Sequence, residues 1–402
     1  MTIAKLLFVF VVMVALLIRR LNLGAVMVGA SCFLGLLFGL SPADFLEVFL
    51  RTVTSRSNLY LLLALSMIMI MEAVLQREGS LRRMVNALQS LVGNPRAATA
   101  ALPALVGLIP SVGGAIFSAP MIKEMTEGSK ATAERKSFIN YWYRHIWEYA
   151  SPIYPTVLLA IQIFEKSVAN VIPYLLPTIP IAIFTGWTVA FGGLRLLPPD
   201  SRECGSHHPF RDLASGLLPI LFILLLVLLL QIETAIAVAA VVVGLLIWHR
   251  LGPTQWLPLL RKAISLNILF SMTAVLLFKE MLIASQAVAD LAPVLAASPI
   301  PPIALFIILP LLVGMATGAA QASVGTAAPI LVGLMGESEA VSPALVAVMI
   351  VSGCGGVMLS PLHMCLVLTV SYFQANLARV YRMMIVPELT FLGISLTYLA
   401  FL

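Results

Sequence analysis

Charge is what this sequence has least of. Asp, Glu, Lys and Arg make up 10% of its 402 residues, where an average soluble domain carries about 25%. With 60% hydrophobic residues and a mean hydropathy of +1.03, the chain could not cover its own surface in water. That excludes a soluble protein of two or three domains and leaves a polytopic membrane protein. Cysteine is scarce too. Cys32, Cys204, Cys354 and Cys365 have no metal-ligand spacing and imply no disulfide framework. Cys354 and Cys365 read as lying on one helix, roughly 16 Å apart and out of bonding range. No Walker-type phosphate loop is present, so ATP is not a direct fuel. No run alternates apolar and polar residues over about ten positions, which excludes a membrane β-barrel.

What is there is a series of apolar runs of helical length. They predict helices over 3–18, 23–40, 58–76, 146–165 and 171–192, then 214–230, 234–249, 264–286, 343–370 and 384–402. The first run is followed by Arg19 and Arg20 rather than a small-residue cleavage site, so it reads as a retained helix and not a signal peptide. Two further stretches, 98–122 and 302–335, are crowded with Gly, small residues and prolines and do not read as straight spans.

The halves match. Leu102-Pro103-Ala104-Leu105-Val106-Gly107 reappears as Leu309-Pro310-Leu311-Leu312-Val313-Gly314, and Ser111 to Gly114 as Ser323 to Thr326. Ala119-Pro120 matches Ala328-Pro329, and Ser151-Pro152 matches Ser360-Pro361, both at an offset of 209. These pairs define repeats over 1–200 and 213–402 joined by a cytoplasmic linker, 201–212. The linker region carries His207 and His208, read as polarity rather than a metal site.

If each special stretch is a re-entrant hairpin, each half has five spans and the second half is inverted. The loop charges then sort. Nineteen basic residues fall on one side, among them Arg77, Lys130 and Arg250. Only Lys5, Arg51, Arg56 and Lys166 fall on the other, and Lys279 lies inside a span. The richer side is cytoplasmic by the positive-inside rule, which puts the 123–145 loop inside and both termini outside. The expected fold is therefore an all-α polytopic membrane protein of two inverted repeats, with discontinuous helices at the repeat interface.

Irregular backbone survives in a bilayer only where protein or a water-filled cavity surrounds it. Ser111, Gly113 and Gly114 in one hairpin, and Gln321, Ser323, Gly325 and Thr326 in the other, would offer N–H groups, carbonyls and hydroxyls at the tips to substrate or sodium. Close packing of small residues explains the same composition equally well for either tip alone. Ser151-Pro152 and Ser360-Pro361 break their helices opposite these tips. Polar groups nearby are Asn140, Arg144, His145, Glu148 and His363, candidates for ion coupling or for the counter-charge to an anion. Arg144 also suits an interfacial anchor. Glu72 and Glu280 occupy near-equivalent points of two spans and could carry protons or snorkel.

Two opposed hairpins, two proline-broken helices and an inverted repeat resemble the ion-transporter superfamily of sodium/dicarboxylate symporters, gluconate and lactate permeases and arsenite pumps. The stretch Asn140-Tyr141-Trp142-Tyr143-Arg144-His145-Ile146-Trp147-Glu148 further resembles an uncharacterised prokaryotic ten-helix family within it. In the symporters, Ser-Asn-Thr tips hold substrate carboxylate and sodium. Ser111 and Ser323 match the serine and Thr326 the threonine, whereas Val112 and Val324 or a glycine replace the asparagine. The resemblance implies an elevator-like movement and often a homodimer.

The expected function is a secondary active transporter that moves a small organic anion across the cytoplasmic (inner) membrane, with sodium favoured over protons as the coupling ion. A channel is the alternative, and an intramembrane enzyme a weaker one. No enzyme activity, cofactor, structural metal or nucleic-acid partner is expected; the partners are the anion and the lipid bilayer.

Overall fold

The computed structural model describes residues 2–110, 114–196, 208–286, 300–335 and 341–402. Every element among them is helical. The first half runs α1 (Thr2–Ile18), α2 (Leu23–Leu37), α3 (Pro42–Thr54), α4 (Arg56–Arg77), α5 (Ser80–Leu91), α6 (Pro95–Gly107), α7 (Gly114–Met125), α8 (Ala133–His145), α9 (Pro155–Ile163), α10 (Val168–Leu175) and α11 (Thr178–Phe191). The second runs α12 (Pro209–Leu224, prolonged by a π-turn over Leu225–Leu229), α13 (Thr234–Trp248), α14 (Pro253–Ala263), α15 (Leu266–Ala284), α16 (Pro302–Thr317), α17 (Ala320–Met335), α18 (Pro343–Met358), α19 (Met364–Phe373) and α20 (Leu377–Ala400).

Helix starts recur along the chain. From α2 to α13 the shift is 211, from α8 to α18 it is 210, and from α9 to α19 it is 209. Packing between the halves is reciprocal as well. α2 lies on α15 as α13 lies on α4, and α7 lies on α19 as α17 lies on α9. The spans α4, α10–α11, α12, α15 and α20 are each long and apolar enough to cross a membrane. The chain is a multi-pass, all-α membrane protein.

Local chemistry sets the shorter elements. Ser41 and Asp44 form a reciprocal capping box that starts α3 at Pro42. Thr132 caps α8, and Ser342 caps α18 ahead of Pro343. The amphipathic helices α3, α5 and α14 were not among the expected ones, because each is short and half polar.

Two expectations are corrected and one is met. The stretch 133–145 is the helix α8, not a cytoplasmic loop, and Phe138 through His145 are all buried. Beyond its first turn, its polar and aromatic side chains are enclosed by protein, so it needs no apolar run. The expected Ser-Pro breaks are present: 146–165 is non-helical over 146–154, and 343–370 over 359–363. The second break puts Cys354 and Cys365 on separate helices, α18 and α19, and both are free thiols, as is Cys32. The 201–207 part of the linker, with Cys204 and His207, lies outside the described residues.

Candidate functional site

The two breaks face each other across the halves. At the end of α8, the imidazole of His145 folds back so that Nδ1 lies 2.6 Å from the carbonyl oxygen of Tyr141. His363, the residue before α19, places Nδ1 2.8 Å from the carbonyl oxygen of Gly318. A carbonyl only accepts, so Nδ1 is the donor in both rings. The Nε2 atoms of the two rings then confront each other at 3.2 Å. Arg144 Nη1 stands 3.5 Å from His145 Nε2, and Glu148 Oε2 stands 3.9 Å from it. All four side chains are largely or wholly enclosed.

Gly318 forms the turn of the second hairpin, α16–α17, in the left-handed conformation at φ +65°. The hairpin turn thus touches the second break directly. The first hairpin, α6–α7, meets the first break by three bonds or contacts: the Tyr154 hydroxyl donates to Gly107 O at 2.5 Å, Trp147 Nε1 donates to Ala104 O at 2.9 Å, and Gly107 lies against the backbone of Arg144. Each half therefore holds its hairpin on its own break, and the two histidines bring the breaks together.

The expected site residues divide as follows. Ser111 and Gly113 lie outside the described residues, and Gly114 is the buried start of α7. Ser323, Gly325 and Thr326 are buried within α17 rather than at the tip, because the chain already turns at Gly318. Ser323 Oγ donates to Pro310 O at 2.7 Å, tying the arms of its own hairpin together. Thr326 Oγ1 is enclosed without a hydrogen bond, as are the hydroxyls of Thr156 on α9 and Ser352 on α18. Those three helices pack on one another pairwise. Gln321 is half-buried one turn earlier. Ser151 and Pro152 are buried in the first break; Ser360 is buried in the second, where its Oγ accepts from the Leu362 N–H at 3.2 Å, and Pro361 is exposed.

Asn140 is committed to structure. Its amide donates to Ala115 O at 2.9 Å and to Thr369 Oγ1 at 3.1 Å, and its oxygen accepts from Ser118 Oγ at 2.6 Å. It locks α8 to α7 and α19. Glu72 is bonded to Gln76 on its own helix, and Lys279 pairs with Glu165 at 2.8 Å, with its neighbour Glu280 at 4.0 Å.

Two groups escaped the sequence reading. Glu388 on α20 is fully buried; its Oε1 accepts from the Tyr149 hydroxyl at 3.1 Å, while Oε2 has no partner. A carboxylate inside a predicted span was signal enough to find it. Cys365, two residues beyond His363, joins His145 and His363 with all three ligand atoms within 4.8 Å of one another.

Two open clefts of about 530 and 550 Å³ adjoin one another through Ser57, Gln162 and Glu165. Arg56 and Lys166 line one, Arg51 and Lys279 the other. Three of the four basic residues assigned to the outer side thus share one mouth. α9 runs from the first break at Pro155 to this mouth at Gln162, roughly 10 Å along the helix.

A multi-pass helical membrane protein with a polar cluster enclosed between two broken helices is what these features define. The sequence profile of the family described as "Protein of unknown function (DUF401)" matches residues 2–402, and the chain belongs to that family. No curated protein is significantly similar to it. Among solved structures, the fold is similar to that of the Alcanivorax borkumensis YdaH transporter, with a TM-score of 0.68 over 97% of each chain at 15% identity. At that identity the likeness is one of fold.

Proposed function

We propose that this protein is a secondary active transporter of the inner membrane, built from two inverted repeats with re-entrant hairpins, that carries a small organic anion coupled to sodium. The observation that carries the reading is the meeting of hairpin and broken helix in each half, joined through His145 and His363. Discontinuous helices at a repeat interface place free backbone groups where a substrate and an ion are held. The ion-transporter superfamily resemblance and the transporter-like fold support it. Arg144 supplies the positive charge for an anion. The enclosed hydroxyls of Thr156, Thr326 and Ser352 supply oxygens suited to sodium. Access from outside runs through the cleft mouth above α9, and an elevator-like shift of the hairpins against the scaffold would alternate it.

Proton coupling is the second reading, favoured by the His145–Glu148 approach and by Glu388. Thermal-shift screening of the purified protein against organic acids, with and without sodium, should first find a stabilising anion. Uptake of that anion into proteoliposomes should then follow an imposed sodium gradient. Uptake driven by an inward proton gradient at zero sodium, and lost in Glu148→Gln, would replace sodium with protons. Failure of every organic acid to stabilise or enter would remove the anion class.

A further inference from the structure

The two imidazoles meet in an arrangement that calls for a positive group between them. Each ring donates its Nδ1–H to a carbonyl, at 2.6 Å from Tyr141 and 2.8 Å from Gly318. In the neutral rings both Nε2 atoms then carry lone pairs, and these face each other at 3.2 Å inside the protein. A proton or a metal ion held between the two nitrogens would relieve this contact, and the nearby thiol favours the metal. Arg144 Nη1 stands 3.5 Å from His145 Nε2.

We propose that His145, His363 and Cys365 form a binding site for a divalent d-block cation, with zinc the best match. Two nitrogens at about 2.0–2.1 Å from a tetrahedral zinc lie roughly 3.3 Å apart, close to the observed spacing. The carbonyl held by each Nδ1–H is the outer support that metal-bound histidines ordinarily have; it fixes both tautomer and ring direction. Cys365 Sγ is within 4.8 Å of both nitrogens, so a modest approach brings it to bonding range. Glu148 Oε2 is 3.9 Å from His145 Nε2 but lies outside the three-ligand group, so it would have to move inwards to complete four ligands. Two nitrogens, one sulfur and one oxygen suit zinc and exclude sodium, which prefers oxygen alone.

The charges also balance well enough for an enclosed site. Cys365 binds as thiolate, releasing one proton to water for each ion bound, and Glu148 adds a second negative charge. Together they offset the charge of the ion. The ligands come from both halves: His145 and Glu148 from the first break, His363 and Cys365 from the second. An ion held there would tie the two breaks to each other. The inference does not depend on the transport reading, since a membrane protein of any function could carry this site.

Cobalt(II) is the probe, used with full-length protein purified in detergent without a polyhistidine tag and stripped with a chelator. The expected result is one cobalt per chain at micromolar concentration, with the visible bands of a tetrahedral ion and a near-ultraviolet thiolate-to-cobalt band. Cys365→Ser should abolish the near-ultraviolet band. His363→Gln should weaken binding by more than about 100-fold, beyond the loss typical of an outer-shell change. Cys354→Ser, whose thiol lies outside the cluster, should leave the spectrum as it is. Gel filtration and melting of each variant check that it folds. Wild-type protein that takes up no stoichiometric cobalt overturns the proposal, and so does a thiolate band that survives Cys365→Ser.

Discussion

A β-carbon added to Gly107 would stand 1.9 Å from the carbonyl oxygen of Arg144. Its counterpart Gly314 makes the same approach to the carbonyl oxygen of Gly353, at 2.5 Å, and residues 144 and 353 are 209 apart. The obstacle in both is backbone, which cannot turn aside as a side chain can. Both glycines let the first arm of a hairpin seat against the broken helix that follows it.

Gly107→Ala and Gly314→Ala should therefore each lower the melting temperature in detergent and cut the folded yield. Overpacking of this kind costs about 1–3 kcal/mol or more. Gly244→Ala, on α13 with nothing within 4 Å of the added carbon, is the control. It should be neutral or gain up to about 1 kcal/mol from helix propensity. A Gly107→Ala protein that melts with wild type would mean that the hairpin does not pack on the break as described.

The buried Tyr149–Glu388 bond joins the first break to α20. Glu388→Gln keeps an acceptor for the Tyr149 hydroxyl and should fold normally. Glu388→Leu removes it and leaves that hydroxyl unpaired, at a cost of about 1–3 kcal/mol. Tyr149→Phe in the same chain removes the unpaired group, so the double variant should be more stable than the sum of the single losses predicts. Strict additivity in chemical or thermal melts would show that the two side chains do not interact.

How much of this was legible in the sequence depends on what each helix faces. Apolar helices such as α4, α13 and α15 expose apolar side chains along part of their surface, so their runs and approximate limits could be read directly. α8 could not be read that way. Asn140, Arg144 and His145 are buried by other parts of the protein, and a polar helix inside a bundle looks like a loop to any hydropathy argument. The Ser-Pro breaks were legible because proline disrupts a helix wherever it stands inside one. The position of the second tip was misread because Gly318, not the Ser323–Thr326 motif, supplies the left-handed turn. The cluster of His145, His363 and Cys365 was invisible to any search for ligand spacing, since 218 residues separate its two histidines.

The orientation of the whole protein rests on loop charge. Contacts in the structure keep each side's residues together: Arg77 donates to Gln255 O, Arg96 to Leu194 O and Arg135 to Gly192 O, all pairs assigned to the cytoplasmic side. In a cysteine-free background, Glu47→Cys on α3 should react with a membrane-impermeant maleimide in intact cells. Lys130→Cys should react only after the cells are opened. Both positions are exposed, so access alone decides the result. The reverse pattern would invert the topology and move the Arg51–Arg56–Lys166 mouth to the cytoplasm.

Sodium coupling has a sharper test in Thr326, whose hydroxyl is buried and bonded to nothing. A buried hydroxyl without a partner is a cost to the fold, and replacing it by a methyl group of similar shape is neutral or stabilising. Thr326→Val should therefore melt at or above the wild-type temperature when sodium is absent. If the hydroxyl is kept for sodium, the order reverses on adding salt. Wild type gains stability by mass action, about 2.7 kcal/mol when sodium stands at 100 times its dissociation constant, and the variant gains much less. Choline chloride at equal concentration controls for ionic strength and should move neither protein. Ser352→Ala and Thr156→Val, on the two helices packed against α17, should weaken the sodium response in the same way if the three hydroxyls share one ion. A sodium-dependent shift of equal size in wild type and Thr326→Val would remove this hydroxyl from the ion site, and with no shift in either protein the sodium reading itself fails.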